Sequence, residues 1–274
     1  MIMPIFIALI LGAVQGLTEF LPVSSSGHLA LIQNIDGIKQ YTQNALTFDV
    51  ILHLGTLAAV LFVFWKDFIS LFRGLFGLVG HGFKIEGKSE RKLVLLLLVS
   101  TVPLVIGALL EDTIESIMGS PLIIGCALCV TAVLLFFADR LGGGDRDALK
   151  TNYGHAAIIG GMQLVALVPG ISRSGSTLCG GLFCGLKRDF AVTYAFLLSI
   201  PAVVGAAVLK VPKVLAEGVE PEMLAAYIVG FLASAVFGYL AIKLVQLLTK
   251  KHGLKYFSIY CAVVDIVSII LTLI

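Results

Sequence analysis

The sequence predicts an all-α integral membrane protein, and three observations lead there. With 58% hydrophobic and 13% charged residues over 274 positions, and a mean hydropathy of +1.03, the chain is too apolar for an ordinary soluble domain. Its apolar residues gather into runs of about 17 to 25, the length of helix that crosses a hydrocarbon core. Two further apolar regions are broken by polar knots at corresponding places in the two halves, a mark of inverted repeats around a midplane site. The expected architecture is six transmembrane helices plus two re-entrant helical hairpins, arranged as an inverted-topology repeat.

The first broken region, 4–35, is interrupted by Pro22 and by Ser24, Ser25 and Ser26. Each half is too short to cross alone, so the region reads as a hairpin that enters the membrane partway and returns. Three full spans follow at 46–65, 93–110 and 122–138. The second broken region, 156–186, is interrupted by Pro169-Gly170 and the stretch Ser172 to Thr177, and spans follow it at 191–209, 224–248 and 256–274. Repeat one then covers about 1–139 and repeat two about 154–274, inside a single membrane domain of 1–274. Between the first two spans, Phe68 to Val79 reads as an amphipathic surface helix or another partial insertion.

Short loops rich in Lys and Arg stay cytoplasmic. Lys66, Arg73, Lys84, Lys88, Arg91 and Lys92 make the loop after the first span basic. Arg140, Arg146 and Lys150 do the same for the third loop, and Lys250, Lys251 and Lys255 for the fifth. Glu111, Asp112 and Glu115 mark the opposite side, as do Glu217, Glu220 and Glu222 beside Lys210 and Lys213. Both termini are then expected outside, with the first hairpin dipping in from the outer face and the second from the cytoplasmic face. No basic segment with a small-residue cleavage site stands at the start, so no removable signal peptide is expected. A net charge of +2 gives no footprint for nucleic acid. The cysteines, including Cys126 and Cys129, lie in apolar stretches and read as small hydrophobes.

The knots carry the residues able to do chemistry, because polar groups at membrane depth are costly and functional by default. With Gln15 laid on Gln163, Ser24-Ser25-Ser26-Gly27 falls on Ser172-Arg173-Ser174-Gly175, both pairs being 148 positions apart (163 − 15 and 172 − 24). Gln15 and Glu19, at i and i+4, share one helix face. The serines that follow Pro22 suit a helix cap, whose free N–H groups favour an anion such as phosphate. Ser25 and His28, at i and i+3, would share the next face. In the second knot Ser172 is the expected cap. Arg173, a planar cation at a helix N-terminus, works against the macrodipole unless an anion is present. Asp49 and His53 either line the chamber or pair locally, and Asp265 is a lone acid in the last span.

At these knots the sequence resembles the undecaprenyl pyrophosphate phosphatase family, also called the bacitracin-resistance family. Its (E/Q)xxxE pattern matches Gln15 to Glu19, its PxSSSGH-like continuation matches Pro22 to His28, and its PGxSRSxxT pattern matches Pro169 to Thr177. The resemblance extends over the whole chain. It implies a multi-pass enzyme of the bacterial plasma membrane, its site opening outward, that removes the terminal phosphate of a C55 polyprenyl diphosphate and regenerates the carrier for cell-wall sugars. It also implies a divalent cation, Mg²⁺ or Ca²⁺, held by Glu19 and Gln15. The first position of the (E/Q)xxxE pattern, where both residues occur in the family, is Gln15 here rather than Glu, which removes one anionic ligand.

On this reading Arg173 holds phosphate, and Ser24, Ser26, Ser172, Ser174 and Thr177 orient its oxygens. Either Ser25 attacks with His28 as base, or His28 activates a water. An inverted-repeat transporter or flippase for a polyprenyl phosphate or another anion is the rival. The expected partners are the lipid substrate, membrane lipid and a second copy of the chain in a homodimer, with no nucleic acid.

Overall fold

The structure, a computed structural model, describes residues 3–33, 46–80, 87–108, 121–217, 221–251 and 253–273, with 38, 41, 84 and 85 between them. Among these residues the regular structure is helical, and the one bridge joins Arg146 to Leu186. In an apolar chain a helix satisfies every backbone polar group within the segment, which is what hydrocarbon demands.

Helix α1 (Ile5–Phe20) ends just before Pro22, and α2 (Ser25–Gln33) restarts after a short turn. Pro22 has no N–H to offer and cannot continue the helix. Next come α3 (Leu46–Val63), α4 (Trp65–Gly80), α5 (Ser89–Ala108) and α6 (Pro121–Leu141). Helix α7 (Tyr153–Val165) starts from a capping box. The Asn152 side chain accepts from the His155 N–H at 2.8 Å, and His155 Nδ1 accepts from the Asn152 N–H at 3.4 Å. The chain breaks again through Pro169-Gly170 before α8 (Arg173–Phe183). Helices α9 (Arg188–Glu217), α10 (Leu224–Lys250) and α11 (Leu254–Leu273) follow.

Among the described residues, four stretches are long and apolar enough to cross a bilayer: Leu46–Val63, Ile123–Leu141, Arg188–Ala216 and Pro221–Lys250. The other two expected spans correspond to α5 and α11, each 20 residues long. Charged Glu90, Arg91 and Lys92 occupy the first turn of α5. The region Phe68 to Val79 is helical as part of α4, whose Trp65, Phe76 and Val79 are exposed. Glu111, Asp112, Glu115 and Glu220 lie outside the described residues, as do the ends of the segments 4–35, 93–110 and 256–274.

Helix α1 packs on α10 and α7 packs on α5, both through backbone-to-backbone contact at a glycine. A Cβ on Gly12 would stand 2.6 Å from the Gly230 carbonyl oxygen, and one on Gly160 would stand 2.5 Å from that of Ser100. Small residues allow such approach between membrane helices. Gly12 and Gly160 are separated by the same 148 positions as the two knots (160 − 12).

The main core, with Leu135, Leu182, Leu197 and Ile242 fully buried, joins α6, α8, α9 and α10. The outer faces stay apolar: Phe6, Phe62, Val236 and Ile266 are all more than half exposed, a surface that suits lipid rather than water. At one end, Arg188 pairs with Asp139 at 3.4 Å and donates to the Asp139 carbonyl at 2.8 Å, while Asp139 also accepts from the Lys255 N–H at 3.3 Å. This contact ties together the ends of α6, α9 and α11.

Candidate active site

The two breaks meet face to face. Ser174 of α8 donates to the Leu21 carbonyl at 3.2 Å. A Cβ on Gly175 would stand 3.2 Å from Cβ of Pro22, and one on Gly27 3.5 Å from Cα of Gly170. Gly170 has φ +96° and lies so close to α6 that a Cβ there would stand 2.6 Å from the Ile124 carbonyl oxygen.

Each break ends in the same cap. Ser24 Oγ accepts from the Gly27 N–H at 3.4 Å and meets Ser26 Oγ at 3.3 Å. Ser172 Oγ accepts from the Gly175 N–H at 3.1 Å and meets Ser174 Oγ at 3.2 Å. The alignment of Ser24-Ser25-Ser26-Gly27 on Ser172-Arg173-Ser174-Gly175 is therefore also an alignment of hydrogen bonds. Ser25 and Arg173 each become the first residue of a helix, where orphan N–H groups favour negative charge. Ser24 has φ +70°, a left-handed backbone that costs a non-glycine residue energy and concentrates at working sites.

Glu19 lies at the centre, its side chain 3% exposed. Arg173 crosses from the second break and donates to Glu19 Oε1. The Ser25 hydroxyl donates to Glu19 Oε2 at 2.8 Å, and the Gln15 amide donates to the same oxygen at 3.1 Å. Thr177 is buried and spends its hydroxyl on the Arg173 carbonyl at 3.0 Å. Ser172, also buried, is further held by its N–H donating to Thr131 at 3.1 Å.

The structure does not form the expected pairing of Ser25 with His28. The His28 ring donates from Nδ1 to the Ser24 carbonyl and meets the Tyr260 hydroxyl with Nε2, both at 2.8 Å. Both nitrogens are engaged away from Ser25, whose own hydrogen goes to Glu19. The imidazole that faces the carboxylate is His53, with Nε2 4.0 Å from Glu19 Oε2. Its Nδ1 meets the Asp49 carbonyl at 2.8 Å. A carbonyl can only accept, so Nδ1 carries the hydrogen there. The i, i+4 spacing flagged this pair, but only the packing of α3 against α1 turns His53 toward the site. Asp265 is not among the residues that line the cavity and sits by Cys129 of α6.

Above these groups opens a cavity of about 610 Å³. Glu19, Ser24, Ser25, Ser26, His53 and Arg173 form its polar end. Leu104 and Val105 of α5, Leu167 between α7 and α8, and Ala202, Gly205 and Leu209 of α9 form its apolar walls. Nothing in the motifs identified α5 and α9 as walls.

Fold and site define a multi-pass helical membrane protein in which a buried carboxylate at the end of one helix meets a partly exposed guanidinium at the start of another, beside a chamber with one polar and one apolar end. The chain belongs to the bacitracin-resistance family: the family model described as bacitracin resistance protein BacA matches residues 8–267. An undecaprenyl-diphosphatase of Methanosphaera stadtmanae is 41% identical, over 97% of this chain and 98% of that protein. One from Alkaliphilus metalliredigens is 42% identical, over 99% and 100%, and one from Halothermothrix orenii 40%, over 98% of each.

Proposed function

We propose that this chain hydrolyses undecaprenyl diphosphate to undecaprenyl phosphate and inorganic phosphate, returning the lipid carrier to cell-wall synthesis. The observation that carries this reading is the contact of Arg173 with Glu19 between two capped helix starts, at the polar end of a chamber whose other walls are apolar. A diphosphate on a hydrocarbon tail has those two natures in the same order. The match to relatives of that activity over nearly their whole length agrees with it.

The proposed setting is the bacterial plasma membrane, with six crossings, two hairpins that enter partway and return, and the chamber opening outward. The shared spacing of Gly12 with Gly160 and of the two caps supports the inverted repeat, and the basic loops support the orientation. In the reaction, Arg173 and the N–H groups at the starts of α2 and α8 bind the terminal phosphate and stabilise its growing charge. The Ser25 oxygen attacks phosphorus, its hydrogen passes to Glu19 Oε2, and the bond to the bridging oxygen breaks to release the lipid monophosphate. Water then cleaves the phosphoserine and frees phosphate. Ser24, Ser26, Ser172, Ser174 and Thr177 shape the cradle around the phosphate oxygens. His28 acts by position, holding the Ser24 turn to Tyr260.

A divalent cation fits this site in part. Gln15 Oε1 is buried without a partner among the described residues, next to the Glu19 carboxylate, and hard cations take such oxygens. No group of three or more His, Cys, Asp or Glu gathers as a metal cluster among the described residues. Glu19 and Gln15 would hold Mg²⁺ or Ca²⁺ with waters and substrate oxygens completing its shell, and the ion would add neutralisation of phosphate charge. The test is phosphate release from a polyprenyl diphosphate by purified protein in detergent, followed by trapping of labelled phosphate on the chain. Release without a gradient and a label that disappears in Ser25→Ala are expected. Turnover that survives Ser25→Ala would remove the serine route.

A further inference from the structure

A cavity of about 610 Å³ matches the roughly 300–1,000 Å³ that encloses a compact small molecule. A C55 chain is far larger, so most of the tail must lie elsewhere. Two residues are placed where they border a second space: Thr101 on α5 and Pro201 on α9 line both the cavity and an adjoining groove of about 200 Å³. The groove's sides are Phe68 and Leu71 of α4, Leu97 and Leu98 of α5, and Leu197 and Ile200 of α9. Pro201 has no N–H for the Leu197 carbonyl one turn back, which weakens the helix where the two spaces adjoin.

The groove offers its occupant hydrocarbon and nothing else. Thr101, its polar residue, already spends its hydrogen on the Leu97 carbonyl at 2.8 Å. A peptide laid there would leave backbone N–H and C=O groups without partners, whereas an isoprenoid has none to satisfy. Continuity with the polar end of the chamber also selects a ligand that carries a phosphate head and an apolar tail.

We propose that chamber and groove form one path, along which the prenyl tail passes from the headgroup over the saddle of Thr101 and Pro201 and beneath α4. Thr101 and Ile200 are then determinants of chain-length preference. The inference rests on the hydrolase reading, and the experiment separates the two. Thr101→Trp and Ile200→Trp narrow the path beyond the first isoprene units. In detergent, the ratio of kcat/KM for a C55 diphosphate to that for a C15 diphosphate should fall about tenfold, the scale of steric discrimination in an apolar pocket. An unchanged ratio, whether both rates persist or fall together, overturns the path.

A second measurement uses the unaltered protein and does not depend on how the variants fold. A polyprenyl diphosphate with a photoreactive group on a distal isoprene should label α4, α5 or α9 at the groove. Labelling only elsewhere overturns the proposal, as would labelling of the groove by a photoreactive phospholipid that the polyprenyl diphosphate fails to displace. If the unaltered protein releases phosphate from neither diphosphate, the hydrolase reading fails, while the labelling still reports on the groove.

Discussion

At the scale of single residues, the site rests on a buried carboxylate and a partly exposed guanidinium that come from distant parts of the chain. Removing one partner of such a pair leaves the other uncompensated, and a point charge does not reproduce a planar fork. Arg173→Lys should therefore lower phosphate release by roughly 100-fold, the usual loss when a charge-stabilising donor is removed. Near-normal turnover in that variant would refute the clamp. Gly170 is a structural counterpart, since its φ of +96° and the 2.6 Å that would separate an added Cβ from the Ile124 oxygen both exclude a side chain. Gly170→Ala should cost about 1–3 kcal/mol of stability, seen as a lower melting temperature in detergent, and an unchanged Tm would contradict the strain. Glu19, Ser25 and Arg173 could be picked out from the sequence because charge and hydroxyl are expensive in an apolar run. His53 could be read only as one of two alternatives, chamber lining or a local pair, and the capture of His28 by Tyr260 not at all, because both depend on side chains brought together from other helices.

At the scale of elements, caps and end contacts decide where helices start and how they are held. Ser172 caps α8 and also bonds Ser174, so Ser172→Ala should destabilise the fold by about 1 kcal/mol. The paired Arg188 and Asp139 side chains are only 14% and 6% exposed. Arg188→Ala should cost about 3–5 kcal/mol by removing the guanidinium from a buried acid. Lys187, half exposed and 3.9 Å from Asp147, should cost less than about 1 kcal/mol when replaced by Ala. Equal melting shifts for these two variants would contradict the difference in burial. Both helix breaks were readable, since Pro22 and Pro169-Gly170 interrupt apolar runs next to capping serines. Span limits were less so: the expected span 191–209 is part of a longer helix, Arg188–Glu217, because a helix does not stop where its apolar run does.

At the scale of the whole molecule, the site exists only where two halves meet, so activity and assembly of the bundle are inseparable. The cation reading predicts that chelation abolishes phosphate release and that Mg²⁺ or Ca²⁺ restores it, with weak, reversible binding because one carboxylate and one carboxamide are the protein's contribution. Full turnover in excess chelator would exclude that role. The twin caps have a last implication. Ser25 and Arg173 occupy the same place in the two matching turns, yet one brings an oxygen and the other a cation. Had both halves kept a single residue there, the chain would own two nucleophiles with no counter-charge, or two counter-charges with nothing to attack. The proposed chemistry therefore needs two turns alike in their caps to differ at that one position.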